Sequence, residues 1–166
     1  MAQDRAERLD QPTVHATCVA FAGRPGAPAA ALLLGPAGAG KSDLALRLLG
    51  VGWRLVADDR VGIDVASGEV WARCPDAIAG MIEVRGLGIL RLPDEQIERA
   101  PVRVALAVRL AAPQDVPRLP EPRRWLVAAA GGTAALPEIA LAPFEASAPD
   151  KVRLAVLSAV GAIVRP

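Results

Sequence analysis

Ala29-Ala30-Ala31-Leu32-Leu33-Leu34-Gly35-Pro36-Ala37-Gly38-Ala39-Gly40-Lys41-Ser42-Asp43-Leu44-Ala45-Leu46-Arg47-Leu48-Leu49 is the stretch on which the fold turns. Its opening apolar run, Ala29–Leu34, has the pattern of a short strand buried on both faces. Gly35–Ser42 then fits G-x-x-x-x-G-K-[ST] at each fixed position. Lys41–Leu49 has helical spacing, with Leu44 and Leu48, and Ala45 and Leu49, stacked on one side. Strand, glycine loop and helix in that order is the context a phosphate-binding loop requires. The glycines let backbone amides converge on phosphate oxygens, and the helix points its positive end at the same place. Lys41 brings a mobile cation for the β- and γ-phosphates, and Ser42 a hydroxyl for Mg²⁺. A chance glycine-rich turn ending in Lys-Ser would not be expected between these two elements. Gly35, Pro36, Ala37, Gly38, Ala39, Gly40, Lys41 and Ser42 are therefore expected to bind a purine nucleoside triphosphate, ATP, with a divalent metal.

Upstream, Thr13–Phe21 reads as a strand in which Val14, Ala16, Cys18 and Ala20 alternate with Thr13, His15, Thr17 and Val19. Gly23–Pro28 holds two prolines and two glycines and reads as a turn. Downstream, Gly50 and Gly52 end the helix, and Trp53–Ala57 is an apolar strand stopping at Asp58-Asp59. Val61–Val65 and Glu69–Ala72 form a hairpin about Ser67-Gly68, and Gly80–Leu92 reads as strand, turn, strand. Val102–Leu110, Trp125–Ala129 and Glu138–Leu141 are further strands, with an exposed Pro113–Arg124 loop and a Gly131-Gly132 turn between them. Ala148–Val164 closes the chain as a helix, with Ser147 or Asp150 as its cap. Strands outnumber helices, so the expected fold class is α/β with a P-loop on a mixed sheet, less regular than the usual strand–helix alternation.

The 166 residues suit one domain with one core, and no internal repeat or long linker divides them. The expected organisation is a polar tail over residues 1–12 and a catalytic P-loop domain over 13–166. Hydrophobic residues make up 52% of the chain, mostly small aliphatics, with no Tyr and two Phe; aromatic stacking on bases is not expected. Nineteen basic and eighteen acidic residues leave a net charge of +1, which argues against a dominant basic patch for nucleic acid or an anionic membrane; neither partner is expected. The start is polar rather than a signal segment, and no apolar run reaches the roughly 18 residues that cross a bilayer. A cytoplasmic protein is the expectation. Cys18 and Cys74 have neither metal-site nor redox spacing and read as core or near-surface thiols.

Asp58-Asp59 follows Ser42 at the end of an apolar strand, where a carboxylate of a P-loop enzyme can hold Mg²⁺ directly or through water. Successive strand residues point to opposite faces, so one of the pair can serve the metal while the other does something else. A solvated Asp-Asp turn is the plainer reading of the same two residues.

Leu34–Ser42, Trp53–Val61 and Gly80-Met81-Ile82-Glu83-Val84-Arg85-Gly86-Leu87-Gly88-Ile89 stand together and in order. In combination they resemble the bacterial HPr kinase/phosphorylase family, in the short alphaproteobacterial-type form that consists of the HPr serine kinase C-terminal catalytic domain. The E-x-R-G-x-G-I element at Glu83–Ile89 is the most diagnostic part, and the resemblance is firm over His15–Leu90. It implies a fold like that of phosphoenolpyruvate carboxykinase. It also implies an ATP- and Mg²⁺-dependent kinase that phosphorylates a serine of the phosphocarrier HPr, with phosphorolytic reversal, in regulation of carbon metabolism. A hexameric homo-oligomer is implied as well.

By the same resemblance Asp58 is the catalytic aspartate, taking the serine proton, and Asp59 is the acidic neighbour near the metal. Ser42 and Glu83 match metal ligands, Arg85 matches a signature arginine, and His15 matches the histidine that helps place the catalytic aspartate. As a lone histidine, His15 also reads simply as a strand residue. After Ile89 the chain departs from the longer members. Pro143–Lys151 stands where they carry a Pro-Gly-Arg-like element, with Lys151 or Arg153 as candidate replacements for its charge. Two other functions fit the residues: an ATP-binding regulatory module without phosphotransfer, and a small-molecule kinase.

Overall fold

A computed structural model of the chain describes residues 13–22 and 27–164. The expected polar tail, residues 1–12, and residues 23–26 of the expected turn lie outside the described residues.

The strands are β1 (Thr13–Phe21), β2 (Ala29–Leu34), β3 (Arg54–Ala57), β4 (Arg60–Ala66), β5 (Glu69–Arg73), β6 (Met81–Val84), β7 (Gly88–Arg91), β8 (Val102–Leu110), β9 (Arg123–Ala129) and β10 (Gly132–Leu141). Two helices, α1 (Lys41–Leu49) and α2 (Ala148–Ala159), complete the fold. The sheet is mixed. β1 runs antiparallel to β2 along one edge and to β3 and β4 along the other. β8 runs parallel to β2 and β10, and its first residues pair antiparallel with β5. The pairings pass from β2 through β1, β4 and β5 to β8 and back to β2, so this part of the sheet closes on itself. The β9–β10 ribbon extends it, while β6–β7 is a separate hairpin.

Strand periodicity divides the interior in two. Val19, Ala31, Leu33, Leu106 and Val108 face the helices and pack with Leu44, Leu48, Trp53, Val152 and Val156. Ala16, Cys18, Ala20, Ala30 and Leu32 face the other way and pack with Val56, Val61, Ile63, Val70 and Val104. Val104 and Leu106 are two residues apart in β8 yet belong to different cores. The register explains it: Ala30 pairs with Val104 and Ala31 with Leu106, so Ala105 is an extra residue that reverses the facing of the strand. Trp53, 2% exposed, is the bulkiest core side chain and stacks on Phe21 with ring centroids 5.0 Å apart.

Two elements differ from their sequence reading. α2 stops at Ala159 instead of reaching Val164, because Gly161 adopts φ 74° and a Schellman closure forms. Ala162 N–H donates to Leu157 O at 2.8 Å and Gly161 N–H to Ser158 O at 3.1 Å. The apolar periodicity of Val160 and Ile163 hid that stop. β10 begins at Gly132, well before Glu138, because pairing with β9 overrides the weak strand signals of Ala134, Ala135 and Pro137. Among the described residues no helix is long and apolar enough to cross a membrane.

The phosphate loop leaves the carboxyl end of β2, beside its parallel neighbour β8. Carboxyl ends of parallel strands are where open α/β sheets place their binding crevices.

Candidate active site

The loop between β2 and α1 is tightly bounded. Ala39 N–H donates to Pro36 O at 3.1 Å, and Leu44 N–H to Gly40 O at 2.9 Å begins α1. Lys41 is 7% exposed and folds back over its own loop, donating to Gly35 O at 2.8 Å and Pro36 O at 2.9 Å. Its third partner is His15 Nε2, 3.1 Å away. An ammonium has no acceptor, so Nε2 receives this bond and Nδ1 carries the imidazole proton. That proton faces Asp59, whose Oδ1 is 3.1 Å from Nδ1. Asp59, His15 and Lys41 thus form one hydrogen-bonded chain across β1. Burial pushes the Lys41 ammonium below the ordinary lysine value, while the Asp59 and Asp58 carboxylates pull it back up.

Asp58 and Asp59 part company at the β3–β4 corner. Arg60 N–H donates to Asp58 O at 2.8 Å, closing a three-residue γ-turn with Asp59 at φ 65°. A non-glycine residue there costs on the order of 1–3 kcal/mol and persists only where its surroundings hold it. Here Ala16 N–H on Asp59 O, at 3.2 Å, and the His15 contact hold it. The consequence is a division of the two carboxylates: Asp59 is turned out, with 69% of its side chain exposed, and Asp58 is 6% exposed.

Asp58 accepts from every direction. Thr17 Oγ1 donates to Oδ1 at 2.7 Å, Ser42 Oγ lies 2.9 and 3.0 Å from the two oxygens, and the Glu83 N–H donates to Oδ2 at 3.1 Å. Four elements therefore converge on one carboxylate: β1, α1, the β3–β4 turn and β6. Bonds of this kind to a carboxylate fix its orientation more firmly than bonds between neutral groups.

The cleft beside the loop is lined by Gly38, Gly40, Lys41, Ser42 and Asp43 on one side and by Glu83, Val84 and Arg85 from the β6–β7 hairpin on another. The hairpin is a pair of strands of its own, and the Glu83 N–H on Asp58 ties it to the sheet. Leu46 and Phe144 complete the lining.

The loop Gly35–Ser42, His15, Asp58, Asp59, Glu83 and Arg85 meet at this corner, and three details differ from the expectation. His15 touches Asp59 and Lys41 rather than Asp58. The carboxylate bonded to Ser42 is that of Asp58, whereas Asp59, expected near the metal, is engaged by His15. Lys151 bonds to Glu145, and Arg153 lies 4.0 Å from Asp150; neither lines the cleft. Thr17, fully buried and bonded to Asp58, belongs to no motif of the sequence. It lies two residues from His15 on the same face of β1, so the polar series Thr13, His15 and Thr17 on one face of the strand was the available signal.

The donors fit a small hard cation in part. Ser42 hydroxyl, Asp58 carboxylate and the nearby Glu83 offer oxygen ligands, the set that suits Mg²⁺. Among the described residues no group of three His, Cys, Asp or Glu side chains could hold a metal by itself. A Mg²⁺ site completed by substrate phosphate oxygens has this incomplete form.

Fold and site together define a P-loop protein of α/β class whose phosphate loop faces a buried, fully hydrogen-bonded aspartate. The chain belongs to the HPr Serine kinase C-terminal domain family, whose model matches residues 10–116. A curated HPr kinase/phosphorylase of Clostridium tetani is 48% identical over 62 residues, covering 37% of this chain and 20% of that protein. One of Xanthomonas campestris is 47% identical over 68 residues, covering 38% of this chain and 20% of its own length. The matched stretch thus spans about a fifth of these relatives. Among solved structures, the Hpr(Ser) kinase/phosphatase of Coxiella burnetii superposes with a TM-score of 0.70, covering 88% of this chain and 94% of that one. At 24% identity it establishes the shared fold.

Proposed function

We propose that this chain is an ATP- and Mg²⁺-dependent protein serine kinase acting on an HPr-like phosphocarrier in the cytoplasm. The observation that carries the reading is Asp58: a buried carboxylate bonded to the P-loop hydroxyl of Ser42 and fixed by two further donors. Binding a nucleotide needs the loop and Lys41. A second, rigidly oriented carboxylate at the loop is what proton removal from an incoming hydroxyl needs.

The roles follow from the contacts. The loop Gly35–Ser42 cradles the phosphates, with Lys41 leaving its carbonyl partners to reach them. Asp58 orients the serine hydroxyl and takes its proton as the new O–P bond forms. Ser42 is the rotatable donor on Asp58, and its release frees a lone pair for the substrate hydroxyl. Thr17 and the Glu83 N–H hold the carboxylate's direction meanwhile. His15 keeps Lys41 and Asp59 in register, and Arg85 lines the cleft as a cation for the transferring group. Ser42, Glu83 and Asp59 would hold Mg²⁺, which would offset charge on the phosphates. Positioning and charge stabilisation supply most of the rate, as in phosphoryl transfer generally. Run backwards, Asp58 returns the proton to the serine oxygen while inorganic phosphate attacks, which is the phosphorolytic direction.

Family membership supports two finer expectations: a sheet arranged as in phosphoenolpyruvate carboxykinase, and assembly as a homo-oligomer, a hexamer. The test of the function is incubation with radiolabelled ATP, Mg²⁺ and purified HPr. Acid-stable phosphoserine on HPr is the predicted product. Nucleotide binding with no label on HPr would instead make the chain a regulatory module.

A further inference from the structure

Phe144 stands in the loop before α2, and its ring lies against the phosphate loop. A methyl placed on Gly40 would sit 2.8 Å from Phe144 Cζ and 3.3 Å from Pro143 Cγ, so the ring approaches the loop backbone as closely as a glycine permits. Gly40 also holds φ 97°, a second reason for glycine there. Despite this contact Phe144 is 70% exposed, while the chain's other phenylalanine, Phe21, stacks on Trp53 at the edge of the core.

The segment carrying the ring is held on both sides. Arg47 donates to Pro143 O and, at 3.3 Å, to Glu145 O. Arg47 is itself fixed by Asp43 Oδ2, at 3.1 Å from Nε and 2.8 Å from Nη2. Lys151 bonds to Glu145, and Ala148 N–H donates to Glu145 O at 3.0 Å, tying the segment to α2 as well. The ring is thus an exposed apolar surface whose flanking residues are hydrogen-bonded to both helices. Among the described residues it is the aromatic one lining the phosphate cleft, and Leu46 adds apolar surface to the same lining.

On the reading of this cleft as a nucleoside triphosphate site, we infer that Phe144 is a nucleotide-contacting residue that packs its ring on the nucleobase or ribose emerging from the phosphate loop. The polar lining, Lys41, Ser42, Glu83 and Arg85, serves the phosphates and the acceptor. The nucleoside needs an apolar face within reach of the loop, and Phe144 with Leu46 supplies one. A ring that offers only its π-face reads the flat of a base and not its edge, so it favours ATP and GTP alike.

The test is equilibrium binding of ATP, GTP and inorganic tripolyphosphate, each with Mg²⁺, to the full chain and to its Phe144→Ala and Phe144→Trp variants. Phe144→Ala is expected to weaken ATP and GTP by about tenfold, the scale of one base–aromatic stack. Tripolyphosphate, which has no nucleoside, keeps its affinity and certifies that the loop is folded. Phe144→Trp restores nucleotide affinity, and its fluorescence changes with ATP and not with tripolyphosphate. Nucleotide affinity falling no further than tripolyphosphate affinity, or not falling, overturns the inference. These measurements need no HPr, so they stand apart from the phosphotransfer assay. Failure of the unaltered chain to bind ATP or tripolyphosphate would count against the nucleotide reading itself, and the inference would fall with it.

Discussion

Two clefts of similar volume open at opposite ends of the β2–β8 strand pair, and they are chemically unlike. The one at the amino ends is lined by Phe21, Trp71, Pro101, Val102 and Val156, and its charges are matched. Glu69 meets Arg103 at 2.8 Å with both side chains nearly half exposed, and Glu98 is 3.9 Å from Arg54. The one beyond the carboxyl end of β2 holds a buried cation resting on carbonyls, a buried carboxylate ringed by donors, and an exposed aromatic ring. Volume does not tell them apart. Strand direction does: the glycine loop can only follow the carboxyl end of β2, and α1 must start there with its positive end toward the cleft. Groups at the far end neutralise one another, whereas Lys41 and Ser42 are held by partners that a phosphate or metal can replace.

That contrast can be broken in order of expected effect. Lys41→Met should weaken Mg²⁺–ATP binding about a hundredfold, the scale of losing a strong charge-assisted contact, read by titration calorimetry. The thermal midpoint of the nucleotide-free chain should change little, because two effects oppose: the variant loses three hydrogen bonds, and it removes a charge that burial makes costly. The lowered Lys41 pKa means the folded state binds that proton less tightly than the unfolded one, so this contribution to stability rises as pH climbs through the lowered value. A large fall in the midpoint would make Lys41 a structural residue. Next, Thr17→Val keeps shape and removes the hydroxyl on Asp58; urea unfolding should show a loss of about 1–2 kcal/mol. Transfer should fall with it while ATP affinity holds, and an unchanged rate would mean that Ser42 and the Glu83 N–H orient Asp58 unaided. Smallest is the far cleft: Glu69→Gln with Arg103→Gln should shift stability by under about 1 kcal/mol, as exposed ion pairs do, with no change in ATP binding. A lost affinity there would show that the two ends are coupled.

Local pattern revealed the strands, both helices and the phosphate loop, because a six-residue apolar run, a glycine loop and a 3.6-residue repeat are signals carried by neighbours in the chain. What escaped was one local stop and several features set by packing between distant segments. The Schellman stop at Gly161 was masked by apolar spacing that continued past it. The extra residue Ala105 in β8 leaves no trace in composition, yet it decides which core Leu106 enters. In the site, the Asp58-Asp59 pair stood out at the end of an apolar strand, and the family resemblance singled out Asp58. Its donors were not evident, since Thr17 is 41 residues away and the Glu83 N–H is 25. Phe144 was invisible for a related reason. The low aromatic content argued against stacking in general, and only the fold sets that ring against Gly40. Cys18 and Cys74 were read as ordinary thiols, and they are: burial pushes both upward, Cys74 to about 11.

In the proposed transfer Asp58 is the group that handles the serine proton. Asp58→Asn retains the shape and an acceptor oxygen for Thr17 while abolishing the base, so Mg²⁺–ATP affinity measured by calorimetry and label transfer to HPr should separate. Binding within a few-fold of the unaltered chain, with transfer reduced about a thousandfold or more, is the predicted result. Undiminished phosphoserine on HPr from the Asn variant would contradict it.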